Sequence, residues 1–220
     1  MADTTTPRER YRAQVRAEIK DHAWEQVRTA GASALSLNAI AKLMGLSGPA
    51  LYRYFAGRDE LITELVGDAY RGLADLFRST AATVTADEGP GARLSALAHA
   101  LRGWALADPH RYLLVYGTPV PGYQAPDDIT AVAREIMAPL LDACAELPQD
   151  GPPAPFDTHL AAHRDWAGAH PAPPAALHRA LSVWTRLHGV LSLEAAGHFT
   201  GMGFDPALLY EAELSALTGR

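Results

Sequence analysis

Tyr52, Arg53 and Tyr54 stand in a row inside an otherwise apolar stretch, between Ala50, Leu51 and Phe55. Phenol hydroxyls can hold phosphate oxygens, and a guanidinium can pair with two acceptors on one guanine edge. A helix buried in a core gains nothing from that polar trio; a helix laid against DNA needs it. The elements that must position it are legible on its N-terminal side. Leu37, Ile40, Ala41 and Met44 recur at helical spacing, with Ser36 placed to cap their free N–H groups. Gly45 follows at once, where a chain leaving a helix needs positive φ. Ser47 caps a second helix, Pro49 is tolerable in its first turn, and Gly57 ends it. Two short helices on a tight glycine turn predict a helix-turn-helix. The Ala41-to-Gly45 spacing alone is shared by many helical proteins that never meet DNA, so the trio carries the argument.

The run GLSGPALYRYFAGRDELITELV resembles the recognition helix and following helix of the tetracycline-repressor (TetR) family of transcriptional regulators. Gly45, Leu46, Ser47, Leu51, Tyr52, Tyr54, Phe55, Arg58, Glu60 and Leu61 carry the resemblance. It covers about a quarter of the chain. Gly48 and Pro49 stand where members often have a basic or other polar residue, which implies less base contact there. Arg58 stands for the more usual lysine and would still serve a phosphate. The resemblance implies a DNA-facing set of Ser36, Ser47, Gly48, Pro49, Tyr52, Arg53, Tyr54 and Arg58. Arg53 is expected to read bases, while Tyr52, Tyr54 and Arg58 grip phosphates. Further on, SVWTRLHGVLSLE resembles a Trp-x-x-x-His-Gly signature in the regulatory domains of one TetR subgroup.

The implied fold class is all-α. A three-helix helix-turn-helix domain would span residues 1–57, and a helical ligand-binding and dimerisation domain residues 58–220. The implied protein is a repressor that binds double-stranded operator DNA, a palindrome, as a homodimer. A small hydrophobic or aromatic effector would release it, and no cofactor or metal is expected.

Composition is compatible and by itself uninformative. The 220 residues carry a net charge of −6, which argues against a general nucleic-acid coat. Residues 1–60 sum to +2 and the remainder to −8, a weak asymmetry that suits a DNA-facing N-terminus. No run approaches the roughly 18 apolar residues of a membrane span, and no apolar segment follows the start as in a signal peptide. A cytoplasmic location is the expectation. Cys144 is the single cysteine, so an intrachain disulfide and a cysteine zinc cluster are excluded.

Met1 to Pro7 reads as an arm. A first helix is expected over Arg8–Ala30, with Tyr11, Val15, Ile19, Ala23 and Val27 on one side and Arg8, Arg10, Arg12 and Arg16 crowding its first half. A long helix from Arg58 to about Val84 must belong to both halves. Helices follow over about 92–107, 109–116, 127–147 and 156–170, with Pro/Gly loops around Pro90, Pro119 to Gly122 and Pro148 to Pro155. The helix expected over Ala175–Phe199 is apolar on two sides: Leu177, Leu181, Trp184, His188, Leu191 and Ala195 on one, Val183, Leu187, Val190 and Leu193 on the other. One side should pack on its own domain and the other on a partner. With a last helix from Asp205-Pro206 it predicts a four-helix dimer interface that includes Leu181, Gly189, Leu191, Ala195, Leu209 and Ala212.

Trp104, Tyr112, Tyr116, Trp166, Trp184 and His188 could line a ligand cavity; their polar tips need partners when buried and suit a ligand's orientation. Aromatics at helical spacing also fill ordinary cores. The runner-up function is a helical ligand-binding or metal-dependent enzyme with an incidental helix pair. It rests on His159 and His163, four apart on one helical face, with His170 beyond. No His-Glu-x-x-His pattern, nucleophile elbow, phosphate loop or dinucleotide fingerprint accompanies them.

Overall fold

The computed structural model describes residues 6–89, 91–117, 127–148 and 152–218. Residues 1–5 of the expected Met1–Pro7 arm, the Pro119–Gly122 loop, Pro90, residues 149–151 and the expected end at Gly219 lie outside them, and Pro7 itself begins the first helix. Among the described residues there are ten helices and no strand: α1 (Pro7–Ala30), α2 (Leu37–Leu43), α3 (Gly48–Leu51), α4 (Arg58–Thr83), α5 (Ala92–Ala107), α6 (Pro109–Tyr116), α7 (Asp127–Glu146), α8 (Pro155–Ala162), α9 (Pro174–Ala195) and α10 (Pro206–Thr218).

Two apolar cores divide the molecule. Val15, Ile19, Ala23 and Val27 of α1 bury their stripe against Leu37, Ile40 and Ala41 of α2, Leu51, Phe55, and Leu61 to Val66 of α4. A second, larger core begins at Ala69 and Leu73 of the same α4 and collects α5, α6, α7, α9 and α10. Trp24 and Tyr70 pack against both cores, and Leu114 of α6 reaches back onto the first. α4 is therefore the shared wall. Its 26 residues contain no proline, so it runs through both cores as one uninterrupted rod.

Two of the later helices depart from the expected bounds. The helix expected over Phe156–His170 stops at Ala162, because His163 leaves helical geometry at φ −126° and ψ 61°. A single 3-10 turn, Asp165–Ala167, follows and ends at Gly168 with φ 60°. α9 stops at Ala195, four residues before the expected end, where Gly197 takes φ 78°. Pro139 lies inside α7 without ending it.

Most of both apolar sides of α9 is buried within the protomer, whereas Leu193 is 44% exposed. Leu177 and Leu191 on one side are 0% exposed, and Val183 and Leu187 on the other are 1% exposed. The reason is enclosure: α9 is packed by α7, α8, α10, α5 and α6 together. Leu191 therefore cannot be a contact between subunits, and that expectation is corrected. Leu181, Ala195 and Leu209 are partly buried against the same core, whereas Gly189 and Ala212 are exposed.

Candidate DNA-binding surface and regulatory core

The helix-turn-helix is built as its residue types require. The Ser36 hydroxyl accepts from the Ala39 amide at 3.3 Å, and the Ser47 hydroxyl from the Ala50 amide at 3.3 Å, so both caps are occupied in the protein's own backbone. Gly45 takes φ 66°, the left-handed turn residue between the two helices. Regular α-helix covers only Gly48–Leu51, but turn hydrogen bonds from Tyr54 and Phe55 to the Leu51 carbonyl carry the coil to Phe55. Leu51 and Phe55, each 0% exposed, anchor it to the first core.

That anchoring sorts the trio. Tyr52 is 49% exposed and Arg53 is also exposed; no hydrogen bond or ion pair with another described residue engages the Arg53 side chain. Tyr54 is half-buried against the core, with the Arg12 guanidinium 5.8 Å from its ring centre. Arg58 is committed inside the domain: it donates to the Ala32 carbonyl at 2.8 Å and the Ser33 carbonyl at 3.3 Å, pinning the chain between α1 and α2. A phosphate role for Arg58 would compete with those bonds.

The arginine crowd on α1, readable as a solvated charged face, has a defined task. Arg12 donates to the Arg53 carbonyl at 3.1 Å and Arg16 to the Tyr54 carbonyl. Arg16 also stacks 4.1 Å over Phe55 and pairs with Glu64 at 3.0 Å. The last carbonyls of the recognition segment are thus held from α1. The signal available in the sequence was spacing: positions 12 and 16 share one helical face.

In the second core, five of the six expected aromatic residues come together. Tyr112 lies against Trp104, Tyr116 and His188, and Tyr116 against Trp184 and His188, with centroids 4.5–6.5 Å apart. Trp166 shares no ring contact with this cluster among the described residues; it packs from the 3-10 turn beside α7. The rings lie in direct contact with one another. A void of only about 10 Å³ adjoins Trp184 among Leu97, Leu101 and Leu187. The Tyr112 hydroxyl lies 2.9 Å from His188 Nδ1 and 2.9 Å from the Ser192 hydroxyl. Ser192, four residues past His188 and so on its face, was legible by spacing alone and carries that contact. Burial holds the His188 imidazole neutral by lowering its pKa to about 4. Its Nε2 is buried without a hydrogen-bond partner.

The remaining histidines do not converge. His159 and His163 stack with centroids 4.0 Å apart, and His170 faces Asp142 at 3.1 Å. Among the described residues, no three His, Cys, Asp or Glu side chains gather as a metal site. Burial raises the Cys144 thiol to about 12, which leaves it protonated and unreactive. No helix of the described residues is long and apolar enough to cross a membrane.

A capped helix pair on a glycine turn, presenting an exposed tyrosine and an exposed arginine from a three-helix base, defines a helix-turn-helix DNA-binding protein. Residues 19–65 match the model of "Bacterial regulatory proteins, tetR family", and residues 94–217 that of "Tetracyclin repressor-like, C-terminal domain". The chain belongs to the TetR family of transcriptional regulators, and it is not an enzyme. It is 36% identical over 216 residues to the HTH-type transcriptional regulator Rv1816 of Mycobacterium tuberculosis, covering 94% of this chain and 92% of that one. Among solved structures it resembles the regulatory protein SCO4313, at 69% identity and a TM-score of 0.88 over 98% of this chain and all of the other. A TetR/AcrR-family regulator from Thermobifida fusca shares the fold at 20% identity and a TM-score of 0.60, over 93% and 97% of the two chains.

Proposed function

We propose that this regulator is a homodimeric repressor of a palindromic operator, released by a small hydrophobic or aromatic effector. The observation that supports it most is α4, one rod that forms a wall of both cores. A shift of its C-terminal half must displace the recognition segment at its N-terminal end. The effector site we assign to Trp104, Tyr112, Tyr116, Trp184 and His188, where the unpartnered His188 Nε2 offers a ligand one polar contact within aromatic walls. Since these rings touch one another, an effector seated among them would part them, which would couple binding to movement of the helices that carry them. Dimerisation is assigned to the exposed side of α9 and α10, through Gly189, Leu193, Leu208 and Ala212.

The test is footprinting and gel shift on the DNA upstream of the chain's own gene. A dimer should protect an inverted repeat with half-sites roughly 34–36 Å apart, about one helical turn. Protection without an inverted repeat would count against the dimeric reading. Aromatic compounds that raise the melting temperature should also weaken the gel shift; hits that leave it unchanged would remove the cluster as a switch.

A further inference from the structure

Where α1 passes the start of α6, the structure holds a cleft of about 220 Å³. Trp24 and Arg28 come to it from α1, Gly72 from α4, Trp104 from α5, and Arg111 from α6. The two carboxylates in its wall are already engaged. Asp68 meets Lys20 and Arg71, each at 2.6 Å, and Asp108 caps α6 by accepting from the Arg111 amide at 3.0 Å. The two guanidiniums keep spare donors. Arg111 spends one terminal nitrogen on the Trp104 carbonyl at 2.8 Å and lies 4.4 Å over that indole, and its Nε has no partner. Arg28 reaches Glu25 at 3.0 Å and comes no nearer than 3.8 Å to Asp108.

We propose that this cleft is a second small-molecule site, one that takes a planar carboxylate of one or two rings. The volume sets the size: it is below the ~300–1,000 Å³ of pockets for drug-sized ligands, and holds the equivalent of about seven waters of ~30 Å³. The half-buried Trp24 supplies an apolar wall, and two arginines with unspent N–H groups supply the paired donors that a carboxylate accepts best. An uncharged ring of the same shape forgoes those bonds. The site is separate from the His188 cluster, with which it shares only Trp104. Its occupant would touch the DNA-binding domain through α1 and the regulatory domain through α6 at once.

The binding test needs no operator DNA. Full-length protein is titrated calorimetrically with indole-3-carboxylate, and with indole-3-carboxamide as the uncharged match. We expect one carboxylate per protomer and at least about tenfold weaker binding of the amide. Gly72→Leu should abolish binding, because a side chain there projects where an added Cβ meets nothing within 4 Å. Arg28→Met, at a side chain 44% exposed, should weaken it at least about tenfold without unfolding the protein. Trp184→Phe, inside the ring cluster, should leave it unchanged. Equal binding of acid and amide, no saturation at millimolar carboxylate, or loss in Trp184→Phe with retention in Arg28→Met would each overturn the proposal. Should Gly72→Leu melt early, Arg28→Met decides the matter alone.

Discussion

At the scale of single residues, the arginines divide by what they touch. Arg53 has an exposed guanidinium with no described partner, so Arg53→Ala should relax operator choice by about 1–3 kcal/mol while sparing random DNA. Equal loss on operator and random sequence would assign it to phosphate. Arg58 already serves two carbonyls. Arg58→Ala should therefore lower the melting temperature, by about 1.5 kcal/mol of stability for a charge-assisted bond lost, and that loss is measurable without DNA. The residue types of both were readable in the chain. What was not readable was which arginine the fold had already spent, since that depends on carbonyls 25 or more positions away.

His188 makes the same point for pH. Its pKa is depressed to about 4 in the folded protein by burial among Tyr112, Tyr116 and Trp184, against about 6.5 unfolded. Between those values the unfolded chain binds the extra proton, so stability falls as pH drops through the window and is fully present above it. The effect is bounded at about 3 kcal/mol. We expect the melting temperature to fall between pH 6.5 and 4 more steeply for the native protein than for His188→Phe; parallel curves would show that other groups govern acid sensitivity.

At the scale of elements, α9 shows where periodicity misleads. Two apolar sides suggest two neighbours, one of them another subunit, yet a helix enclosed by five others in its own protomer has the same pattern. Position in the chain cannot separate these cases; only the arrangement of the other helices does. The consequence is a contrast between two substitutions. Leu191→Asp places an unpaired carboxylate at a position 0% exposed and should unfold the regulatory domain, at a cost of several kcal/mol. Gly189→Arg faces open space in the protomer and should leave its fold intact while converting the proposed dimer to a monomer in sedimentation. A Gly189→Arg protein that sediments as the native one does would move the interface elsewhere. The caps and the glycine turn of the helix-turn-helix, by contrast, are legible because they are local chemistry, whereas the early end of regular helix at Leu51 is not. α8 was overextended, since its amphipathic pattern continues past His163 although the backbone does not.

At the scale of the whole molecule, the proposed effector and operator would bias one protein, so each must change the other's binding by the same free energy. Couplings of this kind are typically about 1–3 kcal/mol, or some 5–150-fold in affinity. Any effector that weakens operator binding by a given factor should itself bind more weakly, by that factor, to the operator complex. Titrating an effector with and without operator measures both sides, and unequal factors would require a third component.

The bonds from Arg12 and Arg16 to the carbonyls of Arg53 and Tyr54 have a bearing on how such a regulator can diversify. They hold backbone atoms, which every residue possesses, and so are indifferent to which side chains stand at the exposed positions 52 and 53. Positions 48, 49, 52 and 53 can therefore be exchanged for those of another regulator without disturbing the clamp. The address a protein reads and the signal it answers become separately replaceable parts. A graft of only those four residues should redirect this chain to a foreign operator while leaving unchanged the response proposed for its regulatory core.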